Sequence, residues 1–202
     1  MIWLTRIRVS LREAAAMRLG DNYAWHQAMW TAFPGRDGCA RDFLTRIDHR
    51  GNLCEALLLS QVKPAPQRWG QWETKPVPPS LLQHERYRFA LRANPTVMRV
   101  VRDQSGQRRK NGRRTAICDA GQLRQWLQRK AEAAGFRVEQ LAFDPPLREA
   151  FRRQGRPGTH VRVDFRGVLV VADRDRFRAA FSQGIGPARA FGFGMLLLQP
   201  LE

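Results

Sequence analysis

Arg86-Tyr87-Arg88-Phe89-Ala90-Leu91-Arg92 alternates strictly, with three arginines on one side and Tyr87, Phe89 and Leu91 on the other. A period of two over seven residues marks a β-strand with one wet and one buried face. The strand lies near the middle of a 202-residue chain, and the patterns on its two sides match loosely. Upstream, Ile2, Leu4, Ile7 and Val9 interleave with Arg6, Arg8 and Ser10, another strand. A helix is expected from about Asn22 to Phe33: Asp21 or Asn22 can cap it, Trp25, Met29 and Ala32 form its stripe, and Pro34-Gly35 stops it. Phe43–Asp48 and Leu53–Gln61 read as a hairpin around His49-Arg50-Gly51-Asn52, and Val62–Pro79 as irregular.

Downstream the plan repeats. Thr96–Arg102 and Arg113–Cys118 flank a basic, glycine-punctuated loop, and Asp119 caps a helix to about Ala134 that carries Leu123, Trp126 and Leu127 on one side. Strands follow at Phe136–Phe143 and His160–Val171, with a segment Leu147–Phe151 and the turn Gln154-Gly155-Arg156-Pro157-Gly158 between them. Asp173 caps a short helix through Phe181; a glycine-rich loop and the strand Met195-Leu196-Leu197-Leu198 close the chain. Each half reads β-α-β-β-(irregular or α)-β, so the expected class is α+β: tandem ferredoxin-like (RRM-like) domains, antiparallel sheets with helices on one face. The division falls at 1–92, carrying the first helix, and 93–202; a single mixed α+β domain is the alternative that local patterning leaves open.

Thirty-five Lys and Arg against 18 Asp and Glu give a net charge of +17. Such a surface attracts polyanions and gains affinity by releasing their counterions, so nucleic acid is the expected partner. With 43% hydrophobic residues the chain can bury a true core. No apolar run is long enough for a membrane span and the N-terminus lacks a signal-peptide core, which gives a soluble, cytoplasmic expectation with no membrane partner. Cys39, Cys54 and Cys118 are far apart, with no metal-ligand spacing.

Three constellations carry chemistry. Gly184-Ile185-Gly186-Pro187-Ala188-Arg189-Ala190-Phe191-Gly192-Phe193-Gly194 reads as an anion-cradling loop, in which Gly184, Gly186, Gly192 and Gly194 bring backbone N–H groups close to phosphate and Arg189 adds charge. It opens a strand rather than a helix, which excludes the dinucleotide fingerprint, and no small-molecule cofactor is expected. The basic turns, Arg108-Arg109-Lys110-Asn111-Gly112-Arg113-Arg114 and the one around Arg148, Arg152, Arg153 and Arg156, suit a nucleic-acid groove. On the first helix, Tyr23 and His26 stand three residues apart on one face. They form either a proton-transfer pair or two packed residues beside Trp25 and Trp30. His49 and His160 read as structural, and the aspartates are scattered at turns and caps, which disfavours a two-metal nuclease and leaves no metal site expected.

These residues together resemble the CasE-type CRISPR repeat endoribonucleases of type I-E systems. The resemblance rests on Trp3-Leu4-Thr5-Arg6-Ile7, Asn22-Tyr23-Ala24-Trp25-His26, Arg88-Phe89-Ala90-Leu91-Arg92-Ala93-Asn94-Pro95, Gly112-Arg113-Arg114 and the terminal Gly184–Gly194 segment, in order along the whole chain. It implies metal-independent cleavage on the 3′ side of a CRISPR repeat hairpin, leaving 5′-hydroxyl and 2′,3′-cyclic phosphate ends, with the protein staying on the guide RNA beside other Cascade subunits. It also implies His26 and Tyr23 as the catalytic pair and Arg152, Arg153 and Arg156 as the groove-inserted hairpin. A non-catalytic RNA-hairpin-binding subunit on the same fold is the alternative.

Overall fold

The computed structural model describes residues 1–36, 39–100, 107, 112–153 and 155–202, with the side chains of Arg113 and Arg153 outside the description. The basic turn over 108–111 therefore lies outside the described residues. Two four-stranded antiparallel paths organise the rest. The first has the order β2-β3-β1-β4, built from β1 (Trp3–Ser10), β2 (Phe43–Arg50), β3 (Leu53–Ser60) and β4 (Gln71–Pro76). The second has the order β11-β5-β10-β8, from β5 (Arg86–Ala93), β8 (Phe136–Phe143), β10 (Arg156–Val171) and β11 (Leu196–Pro200). In each, the first strand lies between the third and the fourth, so each half is a ferredoxin-like unit and the expected tandem α+β fold is the one observed. A separate ribbon pairs β6 (Thr96–Arg99) with β7 (Arg113–Ala116), and β9 (Leu147–Arg153) pairs with the first part of β10.

The helices follow from caps and apolar stripes. Asp21 accepts from the Ala24 N–H and starts α2 (Asn22–Trp30), since α1 is a short turn at Leu11–Ala16 capped by Ser10. Trp25 and Met29 bury the inner face of α2 against Ile7, Phe43 and Leu58. In the second half Asp119 caps α3 (Ala120–Ala133), which buries Leu123, Trp126 and Leu127, and Asp173 caps α4 (Arg174–Gln183), which buries Phe177 and Phe181. Gly135 stops α3 at φ +78°, where an added Cβ would lie 2.4 Å from the Asp173 carbonyl oxygen. That close approach lets α3 and α4 meet. Among the described residues no helix is long and apolar enough to cross a membrane.

Two sequence expectations change, and α1 forms in a stretch for which the pattern gave no reading. β4 forms where irregular chain was expected. Strand β5, assigned to the first half by a boundary at 92, hydrogen-bonds to β10 and β11 and belongs to the second sheet. Its alternation is that of an opening strand, with both neighbours far downstream.

The halves are joined by Arg92, which is 7% exposed. Its Nη2 donates to Asp48 on β2 at 2.7 Å, its Nε to Asp164 on β10 at 2.8 Å, and its Nη1 to the Ile47 carbonyl. Burial alone would raise both carboxylates, but Arg46 and Arg92 at Asp48, and Arg92 and Arg162 at Asp164, hold them below the ordinary value of 3.8. Carboxylates held low stabilise the fold in full above that value, and the contribution drains away as pH falls through the native pKa. Arg92→Ala removes the partner shared by two half-buried carboxylates, leaving Arg46 at Asp48 and Arg162 at Asp164 to compensate them in part, and should cost about 2–3 kcal/mol in denaturant unfolding. Asp164→Asn should flatten the acid limb of the stability–pH curve below about pH 4.

Candidate nucleic-acid interface and active site

Four stretches far apart in sequence meet at the N-terminal half of α2. Asp21 serves two of them: Oδ1 accepts from Ala24 N at 2.8 Å, capping the helix, and Oδ2 accepts from Arg152 N on β9 at 2.9 Å. Beside it, Asn22 Nδ2 donates to Glu149 Oε2 at 3.0 Å, and Glu149 accepts from Arg162 at 2.9 Å. The β9–β10 hairpin is thereby tethered to the helix. Its outer end carries exposed Arg152 and Arg156, with Arg153 opposite Arg156 in the ladder.

The glycine-rich loop forms the next wall. Gly184, Gly186, Gly192 and Gly194 all have positive φ, from +80° to +89°. The amides of Gly184 and Gly194 donate inward, to the Ala180 and Arg92 carbonyls at 2.8 Å each, and Ile185 N donates to the Gly194 carbonyl at 2.9 Å. Those two glycines give the loop its shape rather than donors for a ligand. The shape presents a short 3-10 turn, Arg189–Phe191, to α2: the Phe191 ring stacks on Tyr23 with centroids 6.1 Å apart. Arg189 is exposed beside it, donating one N–H to the Gln183 carbonyl.

His26 and Tyr23 share the helix face, as the spacing indicated, and both are half-buried. The His26 ring lies 5.7 Å from Phe43 and 6.1 Å from Trp30. Trp30 Nε1 donates to His26 Nε2 at 3.1 Å. An indole nitrogen only donates, so Nε2 is the acceptor and the ring proton in this arrangement is on Nδ1. Packing and acid–base capacity therefore coexist in the same residue.

His160, read as structural, joins the wall as well. It stacks on Phe151 with centroids 4.4 Å apart and touches Phe191 and Phe193. Burial pushes its pKa below the ordinary 6.5, with Glu149 opposing. This aromatic stack connects the hairpin to the glycine-rich loop. Arg114 is exposed on the separate β6–β7 ribbon, beside Arg113, whose backbone pairs with Arg99. Sequence reasoning missed Arg41, just before β2, whose guanidinium donates to the Arg189 carbonyl at 3.1 Å and lies 5.8 Å from the Phe43 ring centroid. A lone arginine in an irregular stretch offers no periodicity by which to notice it.

A helix face bearing Tyr23 and His26, with a basic hairpin and an arginine-bearing glycine-rich loop beside it, on tandem ferredoxin-like units in a strongly basic chain, is the arrangement expected of a polyanion-binding α+β protein. Comparison with known proteins is specific. The family model "CRISPR associated protein" matches residues 2–200, and the chain belongs to that family, among its CasE-type members. It is 34% identical over 189 residues to the CRISPR system Cascade subunit CasE of Escherichia coli K12, covering 90% of this chain and 93% of that one. It is 28% identical over 222 residues to the CRISPR-associated endoribonuclease Cse3 of Thermus thermophilus, covering 98% and 100%. The structure of Thermus thermophilus Cse3 bound to an RNA representing a pre-cleavage complex superposes with a TM-score of 0.79 at 28% identity, over 98% of this chain and 99% of that one. Cas6e from Escherichia coli K-12 superposes with a TM-score of 0.74 at 30% identity over the full length of both.

Asp21→Ala should remove both the cap and the hairpin tether, lowering stability by about 1–2 kcal/mol. In a histidine-detected NMR titration, His160 should remain mostly neutral at pH 6.5, because its imidazole is buried in the aromatic stack.

Proposed function

We propose that this chain is a metal-independent endoribonuclease that binds the stem-loop of CRISPR repeats and cuts precursor RNA on the 3′ side of the hairpin. It remains on the mature guide RNA as a subunit of a Cascade complex, alongside that complex's other subunits. The observation that carries the reading is the convergence of Tyr23 and His26 with the basic hairpin and the glycine-rich loop. Full-length similarity to a CRISPR-associated endoribonuclease, and to one solved on pre-cleavage RNA, supports it.

RNA carries its own nucleophile, the 2′-hydroxyl, so the protein's tasks are in-line alignment and management of protons and charge. In the proposed step the 2′-oxygen bonds to phosphorus, the bond from phosphorus to the 5′-oxygen breaks, and the products carry a 2′,3′-cyclic phosphate and a 5′-hydroxyl. His26 is the acid–base residue, most simply the donor to the leaving 5′-oxygen, and Tyr23 orients or deprotonates the 2′-hydroxyl. The acid form of His26 carries protons on both ring nitrogens, so donation through Nε2 displaces the Trp30 bond. Two carboxylates around the start of α2 are already engaged: Asp21 with two backbone amides, Glu149 with Asn22 and Arg162. Arg152, Arg153 and Arg156 enter the groove of the RNA stem, while Arg113 and Arg114 contact its backbone. The loop formed by Gly184, Gly186, Gly192 and Gly194 sets Arg189 against a phosphate.

The experiment is single-turnover cleavage of an end-labelled CRISPR repeat. The wild-type protein should cut it in EDTA, and His26→Ala should lose cutting by a factor of about 10² or more while retaining hairpin affinity. A strict magnesium requirement, or full cleavage by His26→Ala, would overturn the mechanism. Tight, specific binding without any cleavage would leave the chain a non-catalytic hairpin-binding subunit.

A further inference from the structure

Arg41 has hydrogen-bond partners but, among the described residues, no carboxylate paired with its charge. Its guanidinium donates to two main-chain carbonyls, those of Phe43 and Arg189, and lies over the Phe43 ring. Among the described residues it makes no ion pair with a carboxylate: the adjacent Asp42 is taken by Arg36 at 2.7 Å. Burial first, and the charge of Arg189 second, pull the Arg41 pKa down to about 10, with Asp42 opposing. A half-buried cation held next to a second cation costs free energy in the unbound protein, and an anion arriving between them removes that cost.

The position indicates which anion. The Phe43 ring that Arg41 covers is also the neighbour of His26, at 5.7 Å. Arg189 is two residues from Phe191, whose ring stacks on Tyr23. The pair thus borders the two residues assigned to proton transfer, and the group that must stand there during reaction is a phosphodiester.

We infer that Arg41, together with Arg189, receives the scissile phosphate of the RNA and stabilises the negative charge that builds on its non-bridging oxygens as the 2′-oxygen attacks. Arg41 carries no proton in the step; protons leave the 2′-oxygen and reach the 5′-oxygen through the groups already named. A guanidinium suits the task because it stays charged even where burial lowers its pKa, and its planar fork can span two phosphate oxygens. Its tie to the Arg189 carbonyl fixes its distance from the loop before RNA arrives, which is the preorganisation that makes such charges effective.

The inference rests on the proposed endoribonuclease reading, and the test separates the two. Single-turnover cleavage of the repeat is measured for the wild-type chain, Arg41→Gln, Arg41→Lys and Arg189→Gln, with binding to a hairpin carrying a 2′-deoxy nucleotide at the cut and thermal melting in parallel. Arg41→Gln should slow cleavage by about 10²-fold or more, while its affinity for the 2′-deoxy hairpin falls by less than about 10-fold. Arg41→Lys should recover part of the rate; since an ammonium can also bridge carbonyls, a structural role is separated instead by the glutamine variant, which should lose rate well beyond any loss of 2′-deoxy hairpin affinity or melting temperature. Arg189 is exposed, so Arg189→Gln folds normally and should show the same loss of rate beyond loss of binding, which keeps the test decisive if Arg41→Gln melts early. Wild-type cleavage with both glutamine variants within about 3-fold of it, or rate losses that only track affinity, overturns the role of the arginine pair. Absence of cleavage by the wild-type chain overturns the endoribonuclease reading itself.

Discussion

The elements around the Tyr23–His26 helix are tied into one frame by Arg92. Its side chain holds Asp48 of the first sheet and Asp164 of the second, and its own carbonyl accepts from Gly194 at the base of the glycine-rich loop. From Asp164 the chain of contacts continues to Arg162, then Glu149, then Asn22 at the start of α2. One buried guanidinium therefore sets the loop, the hairpin and the helix in a common frame. Such a network is costly to desolvate and costly to break, and the geometry it imposes is what the cleft obtains in return. Apolar packing reinforces it, because Leu44 and Leu59 of the first half belong to the core cluster of the second.

The same frame explains why Tyr23 and His26 resisted a choice between packing and chemistry. Tyr23 leans on Phe191, and His26 is fixed by Trp30 and Phe43. Aromatic neighbours fix the two rings, so on the proposed reading burial is the means of positioning them rather than a competitor to it. The glycines act one step further away. Their positive φ values bend the loop so that Phe191 faces the helix, two residues after Arg189. Two of the four glycine amides point into the fold, so the segment offers fewer backbone donors to an anion than its glycine count suggests.

Strong local signals were legible from residues alone. The caps at Asp21, Asp119 and Asp173, the hairpin at His49-Arg50-Gly51-Asn52 and the alternation in β5 and β10 all lead to the tandem α+β fold. Strand β4 was not legible because it is an edge strand with one partner, mostly exposed, in which Trp72 is the only apolar residue before its terminal proline. The assignment of β5 failed for a different reason: alternation reports that a strand exists but not which strand it pairs with. Arg92 looked like one more arginine on a polar face because its carboxylate partners are 44 and 72 residues away. The same distance effect hid Arg41, whose partner carbonyl belongs to a loop 148 residues on.

The central claim is that this cleft turns the RNA's own 2′-hydroxyl against the neighbouring phosphate. The most direct measurement is the mass of the 3′ end of the upstream fragment after the wild-type protein cuts a CRISPR repeat. A 2′,3′-cyclic phosphate, paired with a 5′-hydroxyl on the downstream fragment, is the result this account predicts. A 3′-hydroxyl paired with a 5′-phosphate would mean that water, not the ribose, attacked, and would contradict it.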